Sequence, residues 1–328
     1  MRAIIWLTAL LAALYGGYWF VGSRAVLMGA NEALGGMKAE GLADYSGLDL
    51  AGFPSRFDLT ISDPRLVSAD GQTGWAAEFL QIFALSYRPN QIIAVWPPKQ
   101  SLALGRETLA IETSDMRASV AFTAGLSLPL DHSELEGHDL VVTSDFGWSA
   151  LAKKLVFASR QSPKATYAHE VVLVVTDPAP GDALRRLVDP MGRLPAQAGT
   201  LRVDATPVFD RPVDRSAAQS PPRVTAIKDI AFQFGWGAMN LDAHGDLTVD
   251  GQGYAAGKIQ LSARGWRDIF ALIVDTGAVK PEIAPTIEKV LAELAKTSGE
   301  ADLLVLPLVF DKGRARLGPI PLGQAPRF

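Results

Sequence analysis

From Ala3 to Ser23 the chain carries no charged side chain, and no other stretch limits its fold so tightly. The run holds Ile4, Ile5, Trp6, Leu7, Leu10, Leu11, Leu14, Trp19, Phe20 and Val21. As a helix it is long enough to cross a hydrocarbon layer of roughly 30 Å. A terminal helix that is apolar all round has nothing in a soluble core to bury it, so the run reads as a membrane segment or an export signal. Arg2 and Arg24 bracket it, and Trp6, Tyr15, Tyr18 and Trp19 lie where interfacial aromatics are comfortable. Val21-Gly22-Ser23 could serve as a cleavage site, but the bulky Tyr18, Trp19 and Phe20 before it suit an uncleaved anchor better. The expectation is an anchor over residues 1–24, crossing the inner membrane through 3–21, followed by a helical stalk over 25–43 weakened at Gly35-Gly36. Each flank carries a single arginine, so the charge bias is weak. The short overhang before the run places the bulk, residues 44–328, in the periplasm.

The remaining residues of this 328-residue chain are enough for one large β domain or two smaller ones. A net charge of -4 leaves no basic footprint, which argues against nucleic acid as a partner. The sequence has no cysteine. That excludes disulfides, thiolate metal sites and a cysteine nucleophile, and it suits an oxidising envelope.

Beyond the stalk the chain reads as strands and turns. Phe57, Leu59 and Ile61 alternate with Arg56, Asp58, Thr60 and Ser62, the period of a strand with one wet and one dry face. Ala76–Leu85 and Val171–Val175 are apolar on both parities, as strands covered on both faces would be. Further strands fall at 101–104, 108–112, 116–122, 140–144, 151–158, 167–176 and 201–209, with hairpins over 224–263. Helices are predicted from Asp182 to Val188 with Asp182 as N-cap, from Trp266 to about Thr276, and from Pro281 with Ile283, Ile287, Val290, Leu291 and Leu294 on one face. The prolines Pro307, Pro319 and Pro321 put the closing hairpin at a sheet edge. The fold class is mostly β, a curved antiparallel sheet with a few covering helices. The proline- and aspartate-rich segment 210–222 divides it into candidate lobes 44–209 and 223–328.

No motif identifies a reaction. Gly251-Gln252-Gly253-Tyr254-Ala255-Ala256-Gly257-Lys258 fails as a phosphate loop, because Gln252 stands where the first glycine belongs and Ile259 replaces the hydroxyl residue. It reads as a glycine-rich hairpin turn. His132, Glu134, Glu136 and His138 share a parity and could offer metal ligands from one strand, but the opposite parity lacks a dry face, so 131–139 reads as a solvated loop. His169-Glu170 lacks a second histidine and alternates as an ordinary strand, while His244 precedes a Gly-Asp turn. No Gly-x-Ser-x-Gly elbow is present. The composition thus points to a non-enzymatic chain, with no cofactor and no metal.

Gly52-Phe53-Pro54 before Arg56-Phe57-Asp58-Leu59, Tyr87-Arg88-Pro89-Asn90 before Ile93-Ala94-Val95-Trp96-Pro97, and Leu317-Gly318-Pro319-Ile320-Pro321-Leu322-Gly323 resemble a membrane-anchored domain-of-unknown-function family of alphaproteobacteria, number 2125. The likeness runs from the anchor to the carboxyl terminus. More distantly, the hairpins from Leu241 to Ala263 followed by a helix resemble AsmA-like envelope proteins, and that resemblance implies a curved sheet around an apolar groove linked to lipid handling. Neither resemblance supplies a catalytic residue. The aromatics Trp75, Phe79, Phe83, Tyr87, Trp96, Phe232, Phe234 and Trp236 lie within or beside strands, and they are the candidate lining of a groove for acyl chains, with core filling as the plain alternative. The expected partners are therefore membrane lipid or another apolar ligand. A second reading is an anchored scaffold with a closed core, whose edges or tail (Pro319, Pro321, Pro326) recruit an unknown protein.

Overall fold

A computed structural model describes residues 2–218, 220–296, 298 and 300–328. The chain forms two compact units: unit 1 is Met1–Ala124 with Leu135–Phe146, and unit 2 is Gly125–Glu134 with Gly147–Phe328. The loop 210–222 therefore lies inside unit 2.

Unit 1 opens with the helix α1 (Arg2–Ala39), which runs through Gly35-Gly36 without a break. Ile4–Tyr15 are exposed all round. From Gly16 on, a stripe at 16, 19, 22–23, 26–27, 30 and 34–35 turns inward, the 3.6-residue period of a helix lying on something. That something is the sheet: Trp19 Nε1 donates to the Arg56 carbonyl at 2.7 Å, and Lys38 Nζ meets Asp44 at 2.7 Å. The end of the predicted anchor, at Trp19, and the end of the predicted stalk, at Lys38, are thus both held on the sheet.

The strands of unit 1 are β1 (Ala43–Asp44), β2 (Gly47–Ala51), β3 (Arg56–Ser62), β4 (Arg65–Val67), β5 (Thr73–Ala77), β6 (Phe79–Leu85), β7 (Arg88–Val95), β8 (Lys99–Leu104), β9 (Glu107–Glu112), β10 (Asp115–Phe122) and most of β11 (Leu130–Ser144). Two antiparallel tracks result, β2-β3-β6-β7-β10 and β1-β4-β5-β8-β9-β11. They are the halves of one meander of long strands, each interrupted once, at Tyr45-Ser46, Asp63-Pro64, Glu78, Trp96-Pro97-Pro98 and Thr113-Ser114. Hydrogen bonds from Ser46 N to Ser62 O (3.0 Å) and from Trp96 N to Met116 O (3.0 Å) carry the ladder across the breaks. Interruptions aligned in this way crease the sheet, as rows of bulges do.

Directly opposed residues share a face. Phe57, Leu59 and Ile61 of β3 lie opposite Ala84, Ile82 and Leu80 of β6, and this is the dry face. Residues 131–139, expected as a loop, belong to β11. Their inward parity, Ser133, Leu135 and Gly137, carries a single large apolar side chain, so no dry face shows in the sequence, and Asp139 at the end of the segment takes φ 47. The less exposed positions are 133, 135 and 137 before it and 140, 142 and 144 after it, so the parity flips at the aspartate.

Unit 2 is a meander in chain order: β12 (Ser149–Gln161), β13 (His169–Thr176), β14 (Ala179–Pro180), β15 (Leu201–Phe209), β16 (Val224–Trp236), β17 (Met239–Val249), β18 (Ala255–Arg264), β19 (Leu303–Asp311), β20 (Arg314–Leu317) and β21 (Ile320–Gln324). Every neighbour pair is antiparallel, with β14 beside β12 and β21 at the far edge. β20 covers β19 only from Leu308, so Pro307, which lacks an N–H, lies just beyond the paired stretch. The short helix α2 (Asp182–Val188) is capped by Gly181, one residue before the expected Asp182. An added Cβ there would strike Ser149, which explains a glycine in place of a capping side chain. Two longer helices, α3 (Trp266–Asp275) and α4 (Ala284–Lys296), bring Trp266, Phe270, Leu291 and Ala295 down onto Ala263, Leu304 and Leu306.

Candidate functional site: an apolar sheet face with a partial helical cover

The register of unit 2 aligns two neighbouring rows of apolar side chains across seven strands. One is Phe157, Leu173, Val203, Phe232, Ala243, Leu261 and Leu306; the other is Leu155, Val175, Leu201, Phe234, Leu241, Ala263 and Leu304. Seven strands at the usual spacing make rows about 29 Å long. The reverse face is different in kind. There Val174 lies opposite Arg202, then come Gln233, Asp242 and Ser262, and the neighbouring row carries Asp204, His244 and Gln260.

Charge on the reverse face is paired. Arg202 holds Asp204 through two bonds of 2.7 and 2.6 Å, and Arg160 meets Glu170 at 2.7 Å. The hydrogen bond from Arg160 keeps the Glu170 carboxyl below the usual carboxylate range. These pairs border a polar cleft of about 420 Å³ that also includes His132 and Glu134. They solvate the outer face.

The helices α3 and α4 cover only one end of the apolar rows. Their core takes in Leu241, Ala263, Leu304 and Leu306, while Phe157 at the other end is 37% exposed. Where the cover stops, a cavity of about 270 Å³ opens between β16–β17 and α3. Phe234, Trp236, Met239 and Leu241 form its floor, with Ile269, Leu272 and Ile273 of α3 and Val188 of α2 as walls. Trp236 is fixed in place: its Nε1 donates to the Pro195 carbonyl at 2.9 Å, and its ring meets Phe234 edge to face at 6.4 Å. Ile273 remains 41% exposed at the mouth. Apart from Thr276 the lining is apolar.

Of the aromatics predicted to line a groove, Phe232, Phe234 and Trp236 share this face. The other five sit in unit 1. Trp75 lies opposite Leu66 and Leu102, with its Nε1 donating to Gln100 Oε1 at 3.0 Å. Phe79 and Phe83 lie opposite Ser62 and Asp58, on the face away from Leu59, and the Arg56 guanidinium sits over Phe83. Tyr87 is in an exposed turn, and Trp96 is at the crease. Sequence reasoning missed the aliphatic walls; their signals were the helical stripe on 266–275 for Ile269, Leu272 and Ile273 and the short apolar stripe on 182–188 for Val188.

A second cavity in unit 2, of about 390 Å³, is bordered by His169, Ser162, Thr166 and Tyr167. His169 is 5% exposed, its Nδ1 has no hydrogen-bond partner, and burial lowers its pKa against a smaller opposing pull from Asp131. His132 lies 2.9 Å from Asp131 and His138 lies 3.0 Å from Glu136. Among the described residues no group of three or more acidic or histidine side chains is placed to hold a metal ion.

Fold and site together define a β-rich protein with a large antiparallel sheet and one helix that is long and apolar enough to cross a membrane. The chain belongs to the family described as "uncharacterized protein conserved in bacteria (DUF2125)", whose family model matches residues 19–326. Comparison with the curated proteins and with the solved structures finds no match.

Proposed function

We propose that this is a non-enzymatic protein, anchored in the inner membrane by α1 with its bulk in the periplasm, that holds acyl chains or a similar apolar ligand along the uncovered face of unit 2. The observation that carries the reading is the mismatch between two seven-residue apolar rows and a helical cover that reaches only one end of them. Burying about six methylenes there would contribute roughly 5 kcal/mol, at about 0.8 kcal/mol each, without any charged group. The cavity floored by Phe234 and Trp236 is the natural seat for the chain end, since its walls are aliphatic and one of them, Ile273, is half open to solvent.

A photoactivatable diazirine fatty acid, added to the full-length protein in lipid vesicles, tests this. Crosslinks are expected at Trp236, Met239 and Ile273, and crosslinks confined to α1 would overturn the reading. Ile273→Asp separates a binding face from a plain core. Because the side chain is 41% exposed, the change should cost about 1–2 kcal/mol, less than emptying a fully buried core site. Crosslinking at the cavity should nevertheless fall at least several-fold.

A further inference from the structure

We propose that the end of the unit 1 sheet formed by the turns 52–55 and 86–87 is seated in the bilayer interface beside α1, so that the protein meets the membrane through a β tip as well as a helix. The inference rests on α1 as the membrane span and is independent of the apolar face of unit 2.

The argument begins with length. The bare part of α1, Ile4–Tyr15, is about 18 Å long as a helix, well short of the roughly 30 Å of a hydrocarbon core. The uncharged run reaches that length only when Gly16–Ser23 is included. Those are the residues against which the sheet tip is docked. Phe53 lies 5.3 Å from the Trp19 ring and 5.9 Å from Phe20, centroid to centroid. Tyr15 Oη and Ser86 Oγ are 3.1 Å apart, and Tyr18 Oη donates to the Ser86 carbonyl at 2.5 Å. Whatever depth α1 takes in a bilayer, the tip shares it.

The chemistry of the tip suits that depth. Backbone groups in a low-dielectric layer need partners. Here the Arg56 carbonyl accepts from Trp19 Nε1, the Ser86 carbonyl from Tyr18, Arg56 N donates to Gly52 O, and Ser86 N donates to Ser55 O. Meanwhile large side chains face outward: Phe53 is 58% exposed and Tyr87 is 62% exposed. Together with Tyr15 and Tyr18 they form a belt of the kind found at headgroup level. Arg88, exposed and next to Tyr87, is placed for lipid phosphate.

The absence of cysteine permits a direct test. Single variants Phe53→Cys, Tyr87→Cys, Leu10→Cys and Gln72→Cys of the full chain would carry an environment-sensitive fluorophore in vesicles of phosphatidylcholine and phosphatidylglycerol, with and without nitroxide-labelled lipid. Leu10→Cys reports the span itself, and Gln72→Cys reports the opposite end of the same strands. The proposal expects positions 53 and 87 to be blue-shifted and quenched by lipid nitroxide at least twofold more than position 72. If position 10 is quenched while 53 and 87 behave as 72 does, the β tip is wrong and the span stands. If position 10 is not quenched either, the span itself fails and takes the tip with it. An added Cβ at Gly22 would lie 2.7 Å from Phe57 Cζ, so Gly22→Leu in the same variants should lower quenching at 53 and 87 and leave position 10 unchanged. Quenching at 53 and 87 that survives this change would show that docking on α1 does not set their depth.

Discussion

Burial disfavours the charged form of His169. It is 5% exposed, its Nδ1 has no hydrogen-bond partner, and Phe209 meets the ring edge to face at 6.3 Å. Burial lowers its pKa from 6.5, with the Asp131 carboxylate as the opposing charge. The unfolded chain therefore binds a proton below about pH 6.5 that the folded chain does not, and stability must fall as pH drops through that value and stay flat above it. His169→Phe keeps the aromatic contact and removes the titration. Melting temperature measured from pH 7.5 to 5 should slope downward in the parent and lose part of that slope in the variant. Equal slopes would show that His169 is not the group responsible. The sequence carried this residue only as one more strand position, because alternation with Tyr167, Val171 and Leu173 fixes a face and says nothing about a partner. The same limit applies to the aromatics. β6 is apolar on both parities, so nothing in its composition tells that Phe83 lies opposite Asp58 while Ile82 lies opposite Leu59.

At the scale of elements, the period of two marked strands such as β3, while 131–139 was lost and β16 was read as a strand across its own slip. In three long strands the slip is made by an aspartate in the left-handed region: Asp63 at φ 49, Asp139 at φ 47 and Asp229 at φ 50. In β16 the register shifts between Ile227 and Ile230, so Ile227 and Phe232 reach one face from opposite parities. Aspartate tolerates the left-handed region better than most residues, and here each carboxylate also accepts from a residue on another strand or loop. Asp63 accepts from Ser46 at 2.7 Å, Asp139 from Ser114 at 2.8 Å, and Asp229 from Lys164 at 2.9 Å. For 131–139 the available signal was its continuity with the apolar alternation at 140–144 beyond Asp139. The prediction is specific to the backbone. Asp139→Gly should stay within about 1 kcal/mol of the parent, trading a lost hydrogen bond for a relaxed φ. Asp139→Val should cost about 1–2 kcal/mol more than the glycine variant, because a β-branched residue is strained at that φ. Denaturant melts of the two variants side by side decide it, and equal stabilities would mean that backbone strain at 139 is negligible.

For the whole molecule, the sequence located the apolar helix and the β class because both are written in composition and period, and neither depends on a distant contact. The division into units is different. It passes through β11, between Glu134 and Leu135, in the middle of a strand with no change of composition, whereas the conspicuous loop at 210–222 joins β15 to β16, which pair with each other. With α1 as a membrane span, the side that each unit occupies follows from it. Among the described residues it is the one helix long and apolar enough to cross, so a helical crossing gives both units the same answer. Single cysteines at Gln72 in unit 1 and at Gln252 in unit 2, both exposed turn positions, can be probed in spheroplasts with a maleimide that does not cross the inner membrane. The periplasmic placement expects both to react before lysis. Protection of both until the membrane is broken would put the bulk in the cytoplasm and leave the apolar face without access to the outer leaflet. Reaction of one alone would require a second crossing that α1 does not supply, and the single-span topology would then fall.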